Sequence, residues 1–361
     1  MLQLGPTDVG MVAYRLHTAL NTTTPHAALL ATFHARNPYA APVGYDLGAD
    51  WGMVQTLFDE ADVVHCHLNY APLAWLERLG AVAGRWVVIH HHGTMYRSKP
   101  GPAHYNAMDA SWARLRLVSN LELLQYGEGL HWLPNPMPVA EYRAVRAATT
   151  LMTARAFRVA HSPSKRELKG TERFLATCER MQGRGLAVEP VLIEGLSHAE
   201  SVRTKATCDA VFDSFWLGMQ CSGLEGAALG LPVLAGAYDQ PYEAALGVPV
   251  PYTRVDTEAA LEAALEALVT DAGYRAAEGA RVGAFVEAWH DEAAVALRYL
   301  NLLDGAVGWR ERMRVGTRRL VNLDEVAPEP LHVKPRKPRR QQPAEPEGPT
   351  RPEPETREVV A

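Results

Sequence analysis

Cysteine is scarce in this chain: Cys66, Cys178, Cys208 and Cys221 are the 4 thiols in 361 residues, with no CxxC pair and no zinc-like spacing. That excludes a disulfide framework and a zinc ribbon, and it fits a reducing compartment. Long apolar runs are missing as well, since no stretch approaches the roughly 18 residues that a membrane-spanning helix needs. The opening MLQLGPTDVG has no basic segment followed by a long apolar one, so no secretion signal is expected. Positive charge is not in excess. With 36 Lys and Arg against 41 Asp and Glu, the net charge of -5 gives no general pull toward nucleic acid or anionic membrane. No GxGxxG opens a helix, which weighs against a dinucleotide-dependent dehydrogenase. A soluble, cytoplasmic protein is expected.

What remains is ordinary globular composition, 47% hydrophobic and 21% charged, in a chain long enough for two domains. The stretch from Ala327 to Ala361 stands apart. It is crowded with Pro, Glu and Arg, cannot bury enough apolar surface to offset its ordering entropy, and is expected to be disordered. Its basic cluster Lys334 to Arg340 reads as a solvated tail, with a macromolecular contact as the alternative.

The body of the chain alternates short apolar runs with segments of helical period. Strands are expected over 62–68 and 85–90, with helices over Leu73–Leu79 and Ala107–Arg114 between and after them. The pattern then restarts. Strands are expected over 157–161, 190–194, 208–212 and 232–236, a helix over Thr171–Gln182 with Thr171 at its cap, and a small-residue helix over Gly223–Leu229. Helices over 257–270, 272–287 and 292–303 close it. This alternation implies parallel sheets covered by helices, in two α/β units. Residues 1–145 form the first, 146–290 the second, 291–326 return toward the first, and 327–361 are tail. Ligands of such sheets sit beyond the carboxyl ends of the strands.

Four groups of residues there bear on chemistry. Gly5–Gly10 joins the opening strand to a helix, where a glycine admits a ligand and a helix N-terminus favours an anion, or where the chain merely turns tightly. His65 and His67 share one strand face, and His90 and His92 another. With no carboxylate or thiolate at a familiar spacing, hydrogen-bonded neutral imidazoles are expected and a metal is not. Lys165, Arg166 and Lys169 crowd the loop after the strand at 157–161, positioned either as a solvated basic loop or to meet the negative charge of a leaving diphosphate. In Ser222-Gly-Leu-Glu-Gly, Glu225 is the lone acid of a short helix. It reads equally as a residue favoured by the helix dipole and as an acceptor for both hydroxyls of a ribose.

Taken in order, DVVHCHLNY, HHHGTMYR, WLPNPMPV, AHSPSKRELKGTERFL, VLIEGLSHAE and CDAVFDSFWLGMQCSGLEGAALGLPVLAG resemble segments of nucleotide-sugar glycosyltransferases of the GT-B fold, specifically the retaining enzymes of glycosyltransferase family 4. The resemblance spans most of residues 1–305. It implies two Rossmann-like α/β/α domains facing a central cleft. Lys169 would hold the donor diphosphate, with Arg166 or Lys165 as its basic partner. Glu225 would grip the donor ribose, and Gly223 and Leu224 would supply backbone N–H groups. His92 would contact the transferred sugar, Gly10 would lie beneath the diphosphate or acceptor, and Gly195 and Leu196 would wall the nucleobase. The resemblance also implies transfer with retention, from a nucleotide-diphosphate sugar and with no further cofactor.

Two departures stand out. Relatives often carry a glutamate eight residues before the ribose-binding one, where this chain has Leu217, and a Gly-Gly where it has Val9-Gly10. No convincing carboxylate pair of the glycosidase kind is visible, so leaving-group stabilisation by Lys169 and Arg166 is expected to carry catalysis without a metal. The acceptor is unread: protein, glycan, lipid, small molecule or modified nucleic acid. A non-catalytic sugar- or partner-binding GT-B module and a nucleotide-sugar epimerase or hydrolase are the competing readings.

Overall fold

Aliphatic runs too short for helices form the central strands, whose side chains alternate between two faces. The computed structural model describes residues 1–68, 86–97, 101–150, 155–236 and 241–307. The expected helix at Leu73–Leu79 and the tail with Lys334 to Arg340 lie outside them. Strands β1 (Leu2–Leu4), β2 (Leu29–Thr32), β3 (Tyr45–Asp46), β4 (Val63–Leu68), β5 (Trp86–His91), β6 (Leu115–Val118) and β7 (Leu130–Trp132) make a parallel sheet in the order β3-β2-β1-β4-β5-β6-β7. Strands β8 (Phe157–His161), β9 (Val188–Leu192), β10 (Ala210–Ser214), β11 (Val233–Ala235) and β12 (Thr253–Arg254) make a second, ordered β12-β11-β10-β8-β9 and also parallel. Both belong to one compact unit.

Alternation along the strands separates the cores. Val63 faces Leu16, Leu20, Leu115 and Tyr299, whereas its neighbour Val64 faces Val54, Phe58 and Ile89. In the second sheet Val211 packs with Leu224, Ala228 and Val286, and Phe212 packs with Phe174, Met181 and Leu265. Each such large side chain contributes about 1.5–3 kcal/mol by leaving water. The helix Glu292–Val307 lies on the first sheet, with Val295, Tyr299 and Leu303 in the cluster that holds Leu16 and Val63. Met137 donates its N–H to His290 O at 2.6 Å and accepts from Glu292 N at 3.1 Å, which ties down the start of that helix. No helix among the described residues is long and apolar enough to cross a membrane.

Chain order reverses between β1 and β4 in the first sheet and between β8 and β10 in the second. The loops that leave the carboxyl ends of β1, β8 and β10 therefore face the crevices where open α/β sheets bind ligands. Three expectations shift. Thr171 begins its helix but does not cap it: Gly170, at φ 71°, holds the cap position, and the Thr171 hydroxyl bonds His161 Nε2 at 2.8 Å instead. β9 starts two residues earlier than expected; β10 starts two later, with Asp209 before the strand accepting Arg158 N–H at 2.8 Å and the Arg155 guanidinium. The helix expected at Ala107–Arg114 runs Pro102–Trp112, and its proline sits in the first turn, where no N–H is needed.

Candidate active site between the two sheets

Lys169 ends the short helix Arg166–Lys169, and Gly170 follows it in the left-handed conformation. A side chain at Gly170 would meet Phe215 at 2.7 Å, so glycine is required there on two counts. The turn buries Lys169, and its ammonium donates to Asp213 Oδ1 at the end of β10. The other oxygen of Asp213 accepts from Gln220 N at 2.6 Å and Gly223 N at 3.0 Å. These amides open the helix Cys221–Ala228. A Cβ on Gly223 would come within 2.7 Å of Asp213 Oδ2, so the missing side chain lets the carboxylate close on the helix start. One carboxylate thus joins the lysine to the helix N-terminus, both of which are anion-seeking groups.

Glu225 lies one turn further along the same helix and is buried. It accepts from Lys205 Nζ at 2.6 Å and from Arg15 Nη2 at 3.3 Å, and His198 Nε2 lies 3.0 Å from its Oε1. Burial alone would raise this carboxyl. Lys205, His198 and Arg15 outweigh it and hold Glu225 well below the usual carboxylate range. Arg15 comes from the first helix, Val12–Thr23, and also donates to Tyr142 OH at 2.6 Å. His198 is the loose member, with its side chain 36% exposed. Its Nε2 stands 3.0 Å from Arg15 Nη2 as well. A single ring nitrogen cannot donate to Glu225 and accept from Arg15 at once, so one of these contacts is only a contact.

The first sheet supplies the opposite wall. Gly10, at φ 74°, presses on the helix start so closely that a Cβ there would meet Cys221 Sγ at 2.6 Å. Asp8 fixes this loop by accepting from Ala13 N at 2.8 Å and Tyr14 N at 2.9 Å, and burial pushes its carboxyl up to about 6. Asn120 donates to Gln220 Oε1 at 3.3 Å, and Asn135 approaches Cys221 Sγ at 3.6 Å. His92, just past β5, is partly buried, with Nε2 3.0 Å from His67 Nδ1. Burial, with His91 nearby, pushes it down to about 3.

Beside Lys169, Ser162, Ser164, Ile193, Glu194, Gly195 and Leu196 line an open groove of about 450 Å³ between the ends of β8 and β9. Gly195, at φ 70°, and Leu196, 48% exposed, form its outer side. Arg166 stands at the mouth, bonded to Glu172 at 2.7 Å and Glu194 at 2.9 Å, and Lys165 is exposed beside it.

The structure therefore gathers Gly10, Lys169, Gly223, Leu224 and Glu225 around the helix Cys221–Ala228, and Lys165, Arg166, Gly195 and Leu196 around the adjoining groove. His92 belongs instead to a buried histidine ladder. Sequence reasoning missed Asp213, Arg15, His198 and Lys205. Arg15 and Glu225 lie 210 positions apart. The acid at 213 closing β10 was the one local signal available.

No family model matches the chain, and no curated protein matches it. Solved structures do. HepE of Anabaena bound to UDP superposes with a TM-score of 0.62 at 16% identity, over 84% of this chain and 99% of that one. A glycosyltransferase from Rickettsia africae gives 0.60 at 11% identity, over 85% and 98%. An α-glucosyltransferase bound to UDP and a 13-mer DNA with a central A:G mismatch gives 0.61 at 9% identity, over 84% and 98%. The fold is GT-B-like.

Proposed function

We propose that this protein transfers a glycosyl group from a nucleoside-diphosphate sugar to an acceptor. The observation that carries the reading is the convergence of the buried Lys169, the N-terminus of Cys221–Ala228 and the groove at Ser162–Leu196 on one side of the crevice, with Gly10 on the other. That layout suits a base in the groove and a diphosphate at the lysine and helix start. The fold is shared with proteins whose structures hold UDP and UDP-glucose, which supports a donor of that class. We infer that the transfer proceeds with retention, as in the glycosyltransferase family 4 enzymes that the sequence resembles.

In the transfer, the bond from the anomeric carbon to the diphosphate oxygen breaks and its electron pair stays on that oxygen. Lys169, whose ammonium has three N–H donors and gives one to Asp213, offers the others to the developing charge, with Lys165 and Arg166 at the mouth. These cations stabilise the leaving group without a divalent metal. The acceptor hydroxyl bonds to the anomeric carbon on the same face, and its proton passes to the departing diphosphate, so configuration is retained. Glu225 receives the ribose hydroxyls once His198, its exposed partner, swings aside. Protein, glycan, lipid, small molecule and modified nucleic acid are all open as acceptors.

The test is incubation of the full chain with a panel of nucleotide sugars and candidate acceptors, reading nucleoside diphosphate release and the anomeric configuration of product by NMR. Release that depends on acceptor, with the donor's configuration kept, is expected. A silent panel, free sugar or epimerised donor would overturn it. The occupied state of Glu225 favours one other reading, a module that binds a sugar without turnover, and binding without product distinguishes it.

A further inference from the structure

The β4–β5 register sets His67 opposite His90, and alternation places His65, His67, His90 and His92 on one face of the sheet. Their rings form a ladder: centroids are 4.2 Å apart for His65 and His67 and 4.3 Å for His90 and His92. His65, His67 and His90 are fully buried, at 0% exposure. One ring nitrogen of each lies within 4.8 Å of the others. His65 and His90 have no hydrogen-bond partner at either ring nitrogen. A buried imidazole in that state leaves a donor and an acceptor desolvated with nothing to offset them, which folded proteins rarely tolerate.

We propose that His65, His67 and His90 bind one divalent cation of the zinc class in a closed site beneath the crevice. Neutral imidazole is the ligating form, and three nitrogen donors without a carboxylate select a borderline metal over magnesium or calcium. Cys66, between two of the ligands, turns to the opposite core. His67 carries the signature of an oriented ligand, because its Nε2 bonds Gln3 Oε1 at 2.8 Å and fixes the ring, while its Nδ1 lone pair, which meets His92 Nε2, would turn to the metal. His92 Nε2, 3.0 Å from that Nδ1, stands beside a fourth position. Nitrogens around tetrahedral zinc are roughly 3.3 Å apart, so nitrogens now up to 4.8 Å apart draw together by as much as about 1.5 Å on the ion. Tyr299 stacks on His65 at 5.0 Å and covers the site. The metal would pin β1, β4 and β5 under the Gly10 loop. This inference departs from the expectation of no metal and does not depend on glycosyl transfer.

The test uses the full chain without an added histidine tag, purified without chelator. Elemental analysis should find about one zinc per chain, and cobalt exchanged into the chelator-treated protein should give the visible absorption of a tetrahedral site. Zinc at a hundredfold excess over Kd should raise Tm by about 5 °C. His65→Gln and His90→Gln should abolish all three at unchanged far-UV dichroism. Should either variant fail to fold, the wild-type zinc content and cobalt spectrum decide the matter alone. A metal-free wild type that gives neither cobalt absorption nor a Tm change overturns the proposal, as does a folded His65→Gln that keeps its metal.

Discussion

Lys169 and Asp213 form a buried ion pair whose second carboxylate oxygen closes the N-terminus of the helix Cys221–Ala228. The lysine is thereby held at the spot where a helix start favours an anion. Removing either partner alone leaves a buried charge unpaired and should cost about 3–5 kcal/mol. Because the two share one contact, Lys169→Met and Asp213→Asn should be strongly non-additive, with a coupling of about 1–3 kcal/mol in urea unfolding. Additive losses would mean that the pair is not formed in solution.

Glu225→Ala should destabilise more than Glu225→Gln, because the alanine abandons Lys205 and Arg15 in a buried setting. A loss of about 3–5 kcal/mol is expected for the alanine. His198→Ala should cost under 1 kcal/mol, since its side chain is 36% exposed and shares its ring nitrogen among competing neighbours. Denaturant midpoints of the three variants give the comparison. Equal losses would contradict the role assigned to His198.

Gly10→Ala forces a side chain onto Cys221 Sγ at 2.6 Å and into a left-handed conformation at φ 74°. The conformation alone costs roughly 1–2 kcal/mol. Adding Cys221→Ala should relieve the clash and leave that remainder, so the double variant should melt above the single one. A double variant that melts no higher than Gly10→Ala would show the loop standing clear of the second sheet.

Acid should unfold the protein through histidines held neutral. Burial pushes His161 and His290 down to about 4 each, against roughly 6.5 in an unfolded chain. Between those values the unfolded state binds more protons, so stability is complete above pH about 6.5 and falls as pH drops toward about 4. Each histidine contributes a slope of up to about 1.4 kcal/mol per pH unit. Asp8, raised to about 6, works the other way. The clean readout is therefore the variant: His161→Gln or His290→Gln should flatten the loss in urea midpoint between pH about 7 and about 5. An unaltered slope would show that these rings do not stay neutral in the fold.

Much of the layering was legible because it is local. Val-Val, Trp-Val-Val-Ile and Phe-Arg-Val-Ala are too short for helices, and β8 falls at 157–161 as expected. Lys169 and Glu225 stood out in the sequence because each sits in a short loop-helix motif. Their partners could not. Arg15 reaches Glu225 across 210 positions and Lys169 meets Asp213 across 44. Such pairs are fixed by how two sheets stack, which no spacing encodes. The histidines were visible as a shared face, but only packing shows that five of their ring nitrogens lack partners. Thr171 misled because a threonine before a helix usually caps it, and here His161 takes its hydroxyl.

The central claim is that the lysine side and the groove side hold opposite ends of one activated-sugar handle. Isothermal titration calorimetry with a panel of nucleoside diphosphates, on the wild type and on Lys169→Met shown to be folded, tests it most directly. One site per chain is expected, with affinity falling about 10–100-fold in the variant, the loss of a charge-assisted contact. A wild type that binds none of the nucleotides, or a variant that binds as tightly as the wild type, would contradict the account.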